Sequence, residues 1–284
     1  MHFGICPYSV VPIRTSSSHK SEQASQLLFG ELVELLETKG RQWTKVRCLQ
    51  DNLVGWLESH QVTAITPSEK LAFQNNFAFN LELVQAAMGD NYFVPITLGA
   101  RLPNFDGIHF KLGEMRFTFS GQAIDQADLK TSAPFLIKIA KRYLNAPFQW
   151  GGRSPFGIDA AGLVQVLFSM VGQQLPRDPE AQIDFGSMVD FIDQAREGDL
   201  AFFENKNGRI AHVGIIMKEQ YIIHAYGAVR IDRLDHYGIY NEETKRYTHK
   251  LRVCKRLLPL EKDEWNQPVP QKAVIDNQVE MFKH

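Results

Sequence analysis

His212 and His224 stand six residues on either side of Lys218, in the apolar runs AHVGIIM and YIIHAY that Lys218-Glu219-Gln220 joins. If that connection is a tight hairpin, both rings lie on one face of a strand pair, with Cβ atoms about 5 Å apart. Two imidazoles placed so can act together, one taking a proton while the other holds its ring through the far nitrogen. Two unrelated strand histidines are the alternative. A base of this kind needs a nucleophile, and a helix N-terminus suits a thiolate, because the helix dipole lowers its pKa. The stretch WGGRSPFGIDAAGLVQVLF, residues 150–168, reads as a glycine-rich turn leading into a helix, with Pro155 fixing a turn and Asp159 as the cap. The residue that would project into a cleft there is Ala160, followed by Ala161, and a methyl group does no chemistry. The spatial expectation is that the imidazoles of His212 and His224 converge on the methyl of Ala160.

Three groups of elements must position these residues. Residues 1–64 read as five or six short strands, including SVVPIR, GELVELLE, QWTKVRC and GWLES, and so as a small β-barrel. An amphipathic helix is the alternative for ELVELLE, and Trp56 is expected in the barrel core. Residues 65–126 are less regular: LAFQNNFAFNLELVQAAM mixes helix-friendly and strand-friendly pieces, and Met115 to Phe119 alternate as a strand. They are taken as a second small β unit. From residue 127 to 258 the pattern is α+β. A helix is expected over 132–144, capped by Ser132 with Pro134 in its first turn, and another from Ala160 to Gly172. Strands GDLAFFE, AHVGIIM, YIIHAY, VRIDRL and THKLRVCKRL follow. Residues 259–284 are polar and read as an exposed extension.

Composition sets limits on function. A hydrophobic share of 44%, a charged share of 22% and a net charge of −1 describe an ordinary globular chain of 284 residues. Nucleic acid and anionic membranes as general partners would need a basic surplus. Cys6, Cys48 and Cys254 lie far apart and form no C-x-x-C, so neither a disulfide framework nor a metal site is expected. The first residues lack a basic region followed by a long apolar run, and no stretch approaches a membrane span, so a cytoplasmic location is expected. No Walker loop, dinucleotide fingerprint or paired-carboxylate motif is present, and no cofactor is expected.

The stretches YLNAPFQWGGRSPFGID-x-AGLVQ, LPRD, GDLAFF, HVGIIM and YIIHAYGAVRIDRLDHYGIYN, in this order and spacing, resemble the NlpC/p60 family of papain-like cell-wall peptidases. With VVPIR, SEQASQLLFGELVELLE, KVR and GW before them, the likeness extends to members of the Bacteroidetes group that carry N-terminal bacterial SH3-like domains. The resemblance implies an α+β papain-like domain behind two small SH3-like β-barrels. It also implies cleavage next to γ-D-glutamyl residues of peptidoglycan stem peptides, such as L-Ala-γ-D-Glu-diamino acid fragments. Carried over, the base is His212 and its orienting partner His224; Asp159 precedes the nucleophile; Asp178 lines the substrate cleft; and Trp150 and Ala161 fall at substrate-binding positions. Ala160 takes the place of the nucleophilic cysteine. Ala161 replaces a serine, Pro179 follows PRD, and Phe148 stands where tyrosine is common. Several changes at one cleft favour a peptide-binding homologue without the family's catalysis, a pseudoenzyme. An active endopeptidase of murein-peptide recycling whose nucleophile has been replaced is the alternative, and an interaction protein using its SH3-like domains is a second. Glu31 and Glu58 are candidate acidic residues for the SH3-like domain's contact with the peptide's N-terminal end, with ordinary surface glutamates as the favoured reading. Arg230, Asp232 and Arg233 are taken as an exposed charge row, Asp199 as a turn cap, and His236 as solvated.

Overall fold

The computed structural model describes residues 2–259. It is mostly β, with few helices, and no described helix is long and apolar enough to cross a membrane. Of the extension expected over residues 259–284, all but residue 259 lies outside the described residues.

Seven strands make the first sheet, in the order Gln23–Leu28, Val10–Arg14, Val54–Glu58, Trp43–Cys48, Leu32–Lys39, His2–Ile5 and Thr63–Ile65. ELVELLE is therefore strand, as its flanking turns suggest. Val11, Ile13, Leu27, Val33, Val46 and Leu57 fill its interior, joined by the thiols of Cys6 and Cys48. Trp56 is only half-buried, whereas Trp43 belongs to the core.

Residues 67–75 form a helix, Pro67–Asn75, where the sequence reading found no clear element. Thr66 and Glu69 make a reciprocal capping box around Pro67, a local signal present in the letters TPSE. Beyond it lie a three-stranded sheet, Arg101–Pro103, Phe77–Asn80 and Ala123–Asp125, and a four-stranded one, Phe93–Thr97, Val84–Met88, Met115–Thr118 and His109–Leu112. The core of this unit is continuous with its neighbours. Phe29 of the first unit packs edge-on to Phe110 and Phe117, at ring-centre distances of 5.6 and 5.8 Å.

The third unit holds helix Ala133–Ala140, extended by a 3₁₀ turn Lys141–Tyr143, and helix Ala160–Ser169, every residue of which is buried. Its sheet runs Ser187–Val189, Arg246–Arg256, Leu200–Glu204, Ile210–Met217, Tyr221–Tyr226, Ala228–Leu234 and Gly238–Asn241. Gly238–Asn241 pairs again with Arg246–Arg256, so six of these strands close a ring. Helix Ala160–Ser169 lies against the strands that carry His212 and His224.

Candidate active site

Asp159 starts the buried helix. Its Oδ1 accepts from Gly162 N–H at 2.7 Å, which is the N-cap bond expected from its side chain. Its Oδ2 accepts from Gly151 N–H at 2.8 Å and from Arg177 Nη2 at 2.5 Å. The carboxylate is thus engaged by three donors of the protein itself and is 8% exposed. Arg177, which the sequence reading passed over, also donates from Nε to Ser25 Oγ at 3.2 Å, and so ties the helix start to the first unit. Gly151 is held at φ +75°, and a Cβ there would lie 2.2 Å from the carbonyl oxygen of Gln23. Only glycine lets this turn meet the first unit so closely.

Ala160 and Ala161 are 6% and 4% exposed, and both line a cleft of about 930 Å³. The same cleft is lined by His212, His249, Asp178, Arg177, Phe148, Trp150, Tyr226 and Tyr247, and by Glu22 from the first unit. Trp150 is largely exposed, and its Nε1 donates to Glu22 Oε1 at 2.6 Å. Its carbonyl accepts from Gln23 Nε2 at 3.2 Å. Asp178 precedes the short helix Pro179–Gln182; its carboxylate makes no hydrogen bond among the described residues. Pro179 occupies the first helical position, where a missing N–H costs nothing.

The two histidines meet, though by another register than the one expected. The strands pair as Ile215 with Ile223 and Met217 with Tyr221, so the turn centres on Glu219 rather than Lys218. His212 and His224 are therefore diagonal neighbours. His224 lies against Gly214, where a Cβ would stand 3.0 Å from that of His224. Across the diagonal, His212 Nε2 is 2.8 Å from His224 Nδ1, with the rings edge to face. His224 Nε2 is 3.0 Å from Asp232 Oδ2, and Arg230 grips both oxygens of Asp232, at 2.7 and 3.0 Å.

This chain of contacts assigns the protons. A carboxylate only accepts, so His224 Nε2–H donates to Asp232. His224 Nδ1 then accepts from His212 Nε2–H, which leaves Nδ1 of His212 as the basic nitrogen. Burial opposes ionisation of Asp232, but the bonds from His224 and Arg230 outweigh it and hold its pKa below the usual carboxylate value. Burial, together with the neighbouring rings of His249 and His224, pushes His212 well below an ordinary imidazole. His224 is lowered by burial as well, against the pull of Asp232. Both rings are neutral near pH 7, as a proton acceptor must be.

Only His212 of the pair lines the cleft with Ala160; His224 is fully buried behind it. Asp232 corrects the expected charge row: it is 5% exposed and is the third member of the chain. Its signal lay in the sheet register, since Asp232 pairs with Ile222, two residues from His224 on the same strand face. His249 was also missed. Its ring stacks on His212 at 4.0 Å and 22°, and burial, with repulsion from a protonated His224 next, pushes its pKa down to about 4.

Glu31 is not a surface residue. It is 3% exposed and forms a two-pronged ion pair with Arg153, at 2.7 and 2.9 Å, between the first unit and the turn after Trp150. Glu58 is half-buried, with His19 and His60 each 3.6 Å away. Asp199 does close a turn, accepting from Arg196 N–H, but it is also buried and paired with Arg256. His236 is exposed against Tyr237. None of the three cysteines lines the cleft. All are buried, and burial pushes the thiols of Cys6 and Cys254 up to about 12.

Residues 145–252 match the NlpC/P60 family, and residues 13–62 match the bacterial dipeptidyl-peptidase SH3 domain. The SH3 match covers the first unit alone. The chain is similar to the γ-D-glutamyl-L-lysine dipeptidyl-peptidase of Bacillus subtilis (strain 168), 28% identical over 221 residues that span 71% of each chain. It is also similar to the protein of that name from Bacillus cereus (strain ATCC 10987 / NRS 248), 26% identical over 231 residues, 72% of this chain and 68% of that one. The crystal structure of an NlpC/P60 family protein from Bacillus cereus ATCC 10987 shares the fold, with a TM-score of 0.78 at 20% identity over 90% of this chain and all of that one. This chain therefore carries an NlpC/P60 domain behind an N-terminal SH3-like domain, and is homologous to the γ-D-glutamyl-L-lysine dipeptidyl-peptidases.

Proposed function

We propose that this chain binds peptidoglycan stem-peptide fragments of the L-Ala-γ-D-Glu-diamino acid type in its cleft and does not cleave them by the thiol route. One observation carries the reading: a methyl, that of Ala160, begins the buried helix on the cleft wall that the basic His212 also lines. A base without a nucleophile cannot form the acyl-enzyme. Loss of a covalent nucleophile costs several orders of magnitude in rate and leaves binding behind. The cleft keeps what binding needs. It has aromatic walls in Phe148, Trp150, Tyr226 and Tyr247, and an uncommitted carboxylate, Asp178, suited to a cationic group of the ligand. Asp159, engaged by three protein donors, serves this reading by shaping the helix start.

A second reading has its own support. The buried chain His212–His224–Asp232 is complete, with the part-exposed Arg230 gripping its outer end, which is more than a binding cleft needs. On that reading the rest of a peptidase persists around position 160. A cysteine there would lose its proton to His212 Nδ1, attack the carbonyl carbon of the γ-D-glutamyl bond and release the amine with that proton; water, deprotonated by the same nitrogen, would then hydrolyse the thioester and restore the thiol.

Calorimetry with L-Ala-γ-D-Glu-diamino acid peptides tests the first reading, which predicts saturable one-to-one binding and no product after long incubation. Absence of binding refutes it, as does thiol-independent hydrolysis. Ala160→Cys, alone and with Ala161→Ser, tests the second. Release of L-Ala-γ-D-Glu, faster in the double variant, supports it. No release from either variant, while both still bind the peptide, refutes it.

A further inference from the structure

We propose that His212, His224 and His249 form a binding site for a zinc-like divalent transition-metal ion on the wall of the cleft. The proposal does not depend on the peptide-binding reading.

One nitrogen from each of the three rings lies within 4.8 Å of the others. Two imidazole ligands of a tetrahedral zinc stand about 3.3 Å apart, given zinc–nitrogen distances of about 2.0–2.1 Å. His212 Nε2 and His224 Nδ1 are already 2.8 Å apart, on two buried rings held edge to face. The ion would take the place of the hydrogen between them, and that proton would move within His212 from Nε2 to Nδ1. Such a change of tautomer needs no net uptake or release of protons by the rings.

His249 closes the site. Its ring lies nearly parallel to that of His212, so the in-plane lone pairs of the two run side by side. Binding requires His249 to turn out of this stack, and it is the one ring of the three that is not buried. It also sits where the ladder is irregular. Gly238–Asn241 pairs Ile239 with His249 but Tyr240 with Tyr247, so Thr248 is an extra residue in its strand. Bulges of this kind redirect a side chain, here on the wall of the cleft.

The surroundings suit ligation. Full burial of His212 and His224 and partial burial of His249 keep all three rings neutral at pH 7, with their lone pairs available. Asp232 holds the far nitrogen of His224, and Thr248 Oγ1 lies 2.9 Å from His249 Nδ1. Carboxylate and hydroxyl partners of this kind orient metal-bound imidazoles. Three nitrogens and no carboxylate favour zinc, copper(II) or nickel(II) over magnesium or calcium. The cleft supplies a route in, and a fourth position open to water or to a carboxylate of the bound peptide.

The test uses the full chain, stripped with a chelator and titrated with zinc chloride in the presence of a competing chromogenic chelator. One zinc per chain is expected. His249→Phe keeps a flat ring for the stack and removes the nitrogens; it should weaken binding by about tenfold or more. His236→Phe changes an exposed histidine away from the cluster and should bind like the parent. Cobalt(II) added to the unaltered chain should give the visible bands of a four- or five-coordinate ion. A chain that takes up no stoichiometric zinc overturns the proposal, as does a His249→Phe variant that binds as tightly as the parent. If His249→Phe does not fold, the cobalt spectrum decides: bands of a six-coordinate aqua ion only would overturn the site.

Discussion

Glu31→Gln is the substitution whose cost the structure fixes most closely. Glu31 and Arg153 are each 3% exposed and share two hydrogen bonds across the seam between the first unit and the cleft turn. Burial works against the charge of Arg153, and the carboxylate of Glu31 outweighs it, raising the pKa of Arg153 above its ordinary value. An amide at 31 removes the counter-charge and leaves the guanidinium buried. Breaking one side of a buried pair costs about 3–5 kcal/mol. In a chain of this size each kcal/mol moves Tm by about 2–4 °C, so a fall of about 10 °C is expected by calorimetry. Glu31→Leu with Arg153→Met removes both charges and should recover most of the loss. It should stop short of the parent by about 1–3 kcal/mol, because Leu28 N–H also donates to Glu31 and would be left without an acceptor. A single variant within 1 kcal/mol of the parent, or a double variant no better than the single, would refute the view that this pair locks the first unit to the cleft.

Other outcomes follow from the same geometry. Gly214→Ala would bring a Cβ to 2.7 Å from Ile222 and 3.0 Å from His224, so a loss of about 1–3 kcal/mol is expected in urea melts; an unchanged midpoint would show that the strands give way there. Asp159→Ala removes the helix cap and strands Arg177, so it should cost more than the ~1 kcal/mol of a cap alone, read from the same melts. Acid should destabilise the chain in a defined window. The rings of His212, His224 and His249 have folded pKa values below the ordinary 6.5, so below that pH the unfolded chain takes up protons that the folded one refuses. Stability should be full above about 6.5 and fall toward pH 4, where His249 itself begins to protonate. With chelator present, His249→Phe should reduce that proton uptake by about one, and an unchanged pH slope would contradict this. Ellman's reagent should leave the native chain nearly unlabelled and titrate three thiols in guanidinium chloride, whereas Ala160→Cys should add one that reacts in the native state.

Much of this was legible in the letters, because the signals involved are local. A cap three residues ahead of the N–H it satisfies, as at Asp159 and Ser132, is a statement about adjacent backbone. So is the alternation that marks Trp43–Cys48 as a strand, and so are the glycines of the turn at 151–152. That position 160 carries an alanine needs no coordinates at all. The signal for helix Pro67–Asn75 is equally local, in its Thr-Pro-Ser-Glu capping box, but the mixed propensities that follow it mask the helix.

What the letters left open depended on distance along the chain. Glu31 and Arg153 are 122 residues apart, and a lone glutamate reads as solvated until a buried cation is seen beside it. Asp232 looked like one of a row of charges because the strand pairing that sets it beside His224 depends on how two turns are made, and neither turn announces its register. His249 needed two long-range facts at once: the closing of the sheet by Gly238–Asn241, and the bulge at Thr248. Sequence alone determined which residue types are present and where helices and strands begin, since those choices are settled within a turn or two of backbone. Tertiary structure alone decided which charges are buried, which partner each imidazole holds and which of them lines the cleft, because burial and register are properties of the whole sheet.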